Sequence, residues 1–173
     1  MENKLNIGKT KKNINDLLLI IDVQNGFITE KTKHIPKLVE QLQYEFKYVI
    51  ATRFINAENS LYRKLIRWNK FSASSNDINL AFRLREDAII IDKNIYTCIN
   101  ECFLERLKLY HLNEIYLCGM DTDICVTKCA VDLFENGIIP FVLKDYCATH
   151  ATDDICEIAL KILARYIGKE QII

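Results

Sequence analysis

The chain has 173 residues, with 23 lysines and arginines balanced by 23 aspartates and glutamates, and half of its residues are hydrophobic. Zero net charge leaves no electrostatic footprint for nucleic acid or another polyanion. The longest apolar runs, such as 17–21 and 88–91, fall far short of the roughly 20 residues that cross a bilayer, so no membrane partner is expected and the expected setting is the cytosol. Seven cysteines are too many to ignore, but the number is odd, and several lie inside apolar runs. They read as reduced thiols rather than as a disulfide scaffold.

Residues 1–15 are rich in Lys and Asn with little apolar periodicity, and read as an N-terminal arm. Residues 16–173 suit a single domain, large enough to bury about 70% of its unfolded surface. Leu17-Leu18-Leu19-Ile20-Ile21 is apolar without alternation, the pattern of a strand covered on both faces in a parallel sheet. Asp22 follows at its carboxyl end, where an aspartate standing alone is as readily a turn or cap residue. Ile35, Leu38, Val39, Leu42 and Phe46 stand at helical spacing, with Pro36 in the first turn, and predict a helix that crosses to a second strand at 48–52.

Residues 61–68 read as a short amphipathic helix, and the Ser-rich stretch 72–77 as a surface loop. Ala88-Ile89-Ile90-Ile91 predicts a third buried strand, with Lys93 directly after it. A helix is expected over 98–109 and a fourth strand over 114–118. Next comes a helix with Cys125, Val126, Cys129, Ala130 and Leu133 on one face, closed by Asn136-Gly137. Residues 138–143 predict a fifth strand, in which Pro140 must sit where no ladder donor is needed. Thr149 or Thr152 opens a last helix to Tyr166, and 171–173 form a short sixth strand. Strands alternating with helices define an open α/β sheet with right-handed crossovers. No glycine-rich dinucleotide or phosphate loop occurs.

Chemistry concentrates where strand four meets the next helix, at Gly119-Met120-Asp121-Thr122-Asp123-Ile124-Cys125-Val126. Glycine permits a sharp turn, Thr122 or Asp123 can cap the helix, and the helix dipole favours an anion at its start. A thiol placed there is expected to ionise more easily than usual and to act as a nucleophile; elsewhere a cysteine is more often a small buried hydrophobe. Cys98 with Cys102, and Cys125 with Cys129, are four apart on predicted helices. No C-x-x-C pair exists and His34, His111 and His150 are isolated in sequence, so no structural zinc site is expected.

Read together, Ile21-Asp22-Val23-Gln24-Asn25-Gly26-Phe27, Ile91-Asp92-Lys93-Asn94-Ile95-Tyr96 and 119–126 resemble the isochorismatase-like cysteine hydrolases. That family is marked by D-x-Q-x-x-F after the first strand, a lysine after the third, and G-x-x-T-D-x-C-V. The resemblance runs from about Leu17 onward and implies a three-layer α/β/α fold whose open parallel sheet has five to six strands in the order 3-2-1-4-5-6. It implies a catalytic triad of Asp22, Lys93 and Cys125, all at strand carboxyl ends near the point where strand order reverses, the usual ligand position in such sheets. Lys93 starts two strand spacings away, about 9.6 Å.

The resemblance further implies a cis peptide just after Met120 and an oxyanion hole made by the backbone N–H groups of Asp121 and Cys125. Phe27 and Tyr96 fall at positions near the triad, with a substrate-binding role weighed evenly against packing. Tyr146 and His150 follow strand five within possible reach, although a surface or capping role suits them better. In the nicotinamidase branch the segment after strand two reads T-R-D-x-H and supplies metal ligands. Here Thr52-Arg53-Phe54-Ile55-Asn56 replaces both ligand types, so neither a metal nor any other cofactor is expected.

The expected activity is metal-independent cysteine hydrolysis of a C–N bond in a small amide or carbamoyl substrate through a thioester. The alternatives are vinyl-ether hydrolysis of the isochorismatase kind, or a non-catalytic scaffold on the same fold. By the same resemblance the expected partners are a small-molecule substrate and further copies of the chain, as a homo-oligomer.

Overall fold

The computed structural model describes residues 16–173; the predicted arm, residues 1–15, lies outside the described residues. Five strands form one all-parallel sheet in the order β3-β2-β1-β4-β5. They are β1 Leu17–Ile21, β2 Tyr48–Phe54, β3 Ile89–Lys93, β4 Glu114–Met120 and β5 Ile139–Ala148. The helices are α1 Ile35–Leu42, α2 Leu61–Lys64, α3 Glu101–Leu109, α4 Thr127–Glu135 and α5 Asp153–Ile167. The chain steps outward from β1 to β3, then crosses back to continue through β4 and β5. With right-handed connections, those two directions of travel place their helices on opposite faces.

Central position explains the composition of β1. It is hydrogen-bonded to β2 on one side and β4 on the other, and its five apolar residues are fully buried. The third strand differs from expectation because it lies at the sheet edge. Its residues alternate between half-buried and exposed, with Ile90 46% exposed, since an edge strand at this position is covered less completely than the centre. The other edge, β5, accommodates Pro140, as an edge strand can. The sixth strand does not form. After a 3-10 turn at Lys169–Gln171, only Ile172 makes a single parallel bridge to Val142.

Two predicted helices are shorter than their apolar patterns. Residues 61–68 yield one turn, α2, capped by Ser60, whose side chain accepts from the N–H of Arg63. Beyond it Arg67 and Phe71 take left-handed backbone conformations, which end the helix and turn Trp68 and Phe71 inward. Helix α3 starts at Glu101, because the Asn100 side chain accepts from the N–H of Phe103 and fixes the cap there. Cys98 therefore precedes the helix, where it is buried beside Cys129, while Cys102 is exposed.

Gly119 locks the two halves of the sheet together. It pairs with Ile21 at the end of β1, has φ of +116°, and a Cβ there would meet the Ile21 carbonyl oxygen at 2.1 Å. Gly119→Ala should destabilise the fold by at least about 3 kcal/mol in urea denaturation, since a backbone clash adds to left-handed strain. Gly137→Ala, at a φ of +75° with nothing within 4 Å, should cost only about 1–2 kcal/mol.

Candidate active site

At the carboxyl ends of β1, β3 and β4 the chain delivers three buried reactive side chains to one point. Asp22 leaves β1 in the left-handed region at φ 50°, and Thr52 on β2 secures it there. The Thr52 hydroxyl donates to Asp22 Oδ1 at 2.6 Å and accepts from the Asp22 N–H at 3.1 Å. Lys93, the last residue of β3, reaches across the end of β2 to place Nζ 2.6 Å from Asp22 Oδ2 and 3.5 Å from Cys125 Sγ. The Nζ also donates to the carbonyls of Ile95 and Tyr96, each at 3.1 Å, and lies 5.3 Å from the centre of the Phe54 ring.

Cys125 sits in a π-helical turn, Thr122–Val126, that runs directly into α4. The N–H groups of Ile124 and Val126 both donate to the Asp121 carbonyl, and neither Thr122 nor Asp123 caps the turn with its side chain. Single π turns recur at functional sites. The peptide between Met120 and Asp121 is cis.

Burial pushes the Cys125 thiol well above the ordinary thiol range; the charge of Asp22 pushes the same way and Lys93 opposes both. Burial and the Asp22 charge thus work against the easy ionisation expected from the helix start. For Lys93, burial favours the neutral amine, but the charges of Asp22 and of the neighbouring thiols outweigh it and raise the ammonium above its usual range. Asp22 Oδ2 has no well-directed hydrogen bond and is held by the charge of Lys93, while the carboxylate is near enough to the thiol to act on its ionisation. The arrangement sets a thiol beside an ion pair whose carboxylate can accept a proton.

A narrow cavity opens against Cys125, lined by Phe27, Phe54, Tyr62, Trp68, Tyr96, Asp121 and Ile124. Its free space is about that of one water molecule. Phe27 stacks against Phe71 at 4.3 Å and meets Trp68 edge-on at 5.7 Å, while Tyr96 meets Tyr62 at 5.1 Å. The structure thus brings Phe27 and Tyr96 to the same cavity as Cys125. His150 packs against two of its wall residues, with its ring 5.8 Å from that of Phe27 and 5.2 Å from that of Trp68. Tyr146 stays away, among Asp145, Cys118 and Glu45.

Sequence reasoning missed Thr52, Trp68 and Phe71. Thr52 was read only as the first residue of the segment aligned with T-R-D-x-H, with no role of its own, and Trp68 and Phe71 reach the site only through the left-handed turns. The motif glutamine, Gln24, has a structural role: its amide exchanges hydrogen bonds with the N–H and C=O of Phe54 and donates to the Ile78 carbonyl. It fixes the loop after β1 to the end of β2.

At the positions where the nicotinamidase branch carries metal ligands, Phe54 offers no donor atom. The Asn56 amide donates to the carbonyls of Trp68 and Lys70, and its oxygen accepts from Ser60. Those residues do not fit a metal, and the described residues contain no group of three or more His, Cys, Asp or Glu suited to one. Nor is any helix among the described residues long and apolar enough to cross a membrane.

A family model described as the isochorismatase domain matches residues 16–170. Isochorismatase family protein 2A of Dictyostelium discoideum is 24% identical over 136 residues, which cover 74% of this chain and 64% of that protein. Isochorismatase family protein 1A of the same organism is 34% identical over 68 residues, covering 38% and 32%. The chain thus spans less than two-thirds of the length of these curated relatives.

Among solved structures, a cysteine hydrolase from Pseudomonas syringae pv. phaseolicola 1448A superposes with a TM-score of 0.78 at 19% identity, covering 90% of this chain and 87% of that one. The pyrazinamidase/nicotinamidase of Streptococcus mutans UA159 gives 0.77 at 18% identity, covering 89% and 98%. These likenesses establish the fold as that of the isochorismatase-like α/β hydrolases. The chain belongs to the isochorismatase family.

The charges around the thiol predict opposite shifts in two variants. Asp22→Asn removes the anion that disfavours the thiolate, so the Cys125 ionisation, followed by ultraviolet thiolate absorbance, should move to lower pH. Lys93→Met removes the cation that favours it, and the same transition should move to higher pH.

Proposed function

We propose that the chain is a cysteine hydrolase that cleaves the C–N bond of a small amide or carbamoyl compound through a thioester on Cys125. One observation carries this reading: Lys93 Nζ contacts both the Asp22 carboxylate and the Cys125 sulfur, and that cysteine lines a cavity walled largely by aromatic rings. A buried ion pair is weak evidence for stability, and a nucleophile, a proton acceptor and a cation in mutual contact match the needs of acyl transfer.

Sulfur attacks the carbonyl carbon as its proton passes to Asp22 Oδ2, and Lys93 offsets the negative charge during the transfer. The N–H groups of Asp121 and Cys125 hold the oxyanion. Collapse breaks the C–N bond, and the departing amine takes the proton from Asp22, leaving an acyl-thioester. Water then attacks that thioester, gives a proton to Asp22, and the expelled thiolate recovers it as the acid departs. Flat acyl groups suit the aromatic walls. Their entry requires Tyr62 and Trp68 to move, and both are borne by the short α2 and the turn after it.

Ammonia release from a panel of small amides tests the activity. Cys125→Ala should lower it by at least about a thousandfold while the fold is kept. Acid-quenched mass spectrometry should find the acyl group on Cys125; turnover of vinyl ethers alone, without an acyl adduct, would favour the isochorismatase-type reaction. Because Phe54 and Asn56 do not fit a metal, chelator treatment should leave turnover unchanged. Loss with EDTA and recovery with zinc would contradict the metal-free route.

A further inference from the structure

The walls of the cavity are apolar except near Asp121, so a charged part of a substrate has to lie at the rim. There His150 is held in an unusual way. Its backbone N–H donates to Asp121 Oδ1 at 3.0 Å, and its ring Nδ1 pairs with Asp121 Oδ2 at 2.6 Å. The anionic end of this pair is buried and the imidazole end is open: the side chains are 2% and 36% exposed. With Nδ1 occupied, Nε2 is the nitrogen that faces a ligand or solvent, and it has no hydrogen-bond partner among the described residues.

The fold brings His150 here by a break in strand register. Leu117 pairs with Val142, but two residues later Gly119 pairs with Cys147, so β5 bulges and its end carries His150 over Asp121. Two cations flank the same rim. Lys70 Nζ donates to the carbonyl of Gly26 beside Phe27, and Lys31 Nζ donates to that of Ala151 beside His150.

We infer that His150, oriented by Asp121, is a specificity-determining residue that selects amide substrates carrying a carboxylate, which its Nε2–H receives at the cavity rim. This assignment rests on the amide-hydrolase reading and names its substrate class. The electrostatics agree. The hydrogen bond that Nδ1–H donates to Asp121 raises the imidazole above its ordinary range, burial opposes it, Asp123 adds to the rise and Lys70 subtracts. The donor is present below the folded-state pKa and disappears as pH rises through it, so selectivity for the anion should fade on the alkaline side.

The test compares benzamide with the three monoamides of the benzenedicarboxylic acids, using wild-type protein and His150→Gln. Wild type should favour at least one carboxylated amide by about tenfold or more in kcat/KM, mainly through KM. That ratio should collapse towards one in His150→Gln and in wild type at alkaline pH. Hydrolysis of benzamide with no carboxylate preference, or a preference unchanged in His150→Gln, would overturn the assignment and leave the amide-hydrolase reading standing. Imidazole NMR of the wild-type protein supplies a readout free of turnover: benzoate should raise the midpoint of the His150 titration and benzamide should not. If no amide is hydrolysed, the amide-hydrolase reading fails, and this titration still decides the rim site. A midpoint unmoved by benzoate would overturn it.

Discussion

An ion pair excluded from water, Asp22 with Lys93, is the constraint around which this end of the molecule is built. Burying two charges costs several kcal/mol per ion, and attraction repays that only when the remaining donors and acceptors are met. Here they are met by Thr52 on Asp22, by the carbonyls of Ile95 and Tyr96 on Lys93, and by the Phe54 ring under the ammonium. Each partner comes from the end of β2 or from the loop after β3. The pair thus dictates how those ends are arranged, and Gln24 fastens the loop after Asp22 to the same strand.

Sheet topology supplies what local sequence does not. Because the strand order reverses between β1 and β4, the chain leaves the sheet in opposite directions from adjacent strands, which opens a crevice between Asp22 and the Cys125 turn. Gly119 keeps that crevice tight by letting β4 approach the Ile21 backbone. Burial and the Asp22 charge push the thiol's ionisation upward there while Lys93 opposes them. In the proposed mechanism the neighbouring carboxylate is the group that receives the sulfur's proton.

Five strands and their parallel packing were legible in the sequence, since unalternating apolar runs are local signals, while the strand order and the meeting of Asp22, Lys93 and Cys125 were implied by the family resemblance. Four features were not. Ile89–Ile91 looked as buried as Leu17–Ile21, although the expected strand order already put β3 at the edge, where cover is incomplete. The helix expected over 61–68 was stopped by left-handed residues, Arg67 and Phe71, of types that give no warning of that conformation. The thiol's ionisation was judged from the helix start and the Lys93 charge, whereas burial and the Asp22 charge push it the other way. The Asp121–His150 pair joins residues 29 apart in sequence through a bulge, which no spacing rule shows.

The central claim is that the Asp22–Lys93 pair is kept for proton transfer and not for stability. A double-mutant cycle of Asp22→Asn and Lys93→Met, with unfolding free energy and turnover read on every member, addresses it directly. Each single variant should lose about 3–5 kcal/mol, because it strands one buried charge. The double variant should regain most of that loss, to within about 1 kcal/mol of wild type, and should have no turnover. A double variant destabilised by the sum of the two single losses, or one that still turns over, would contradict the claim.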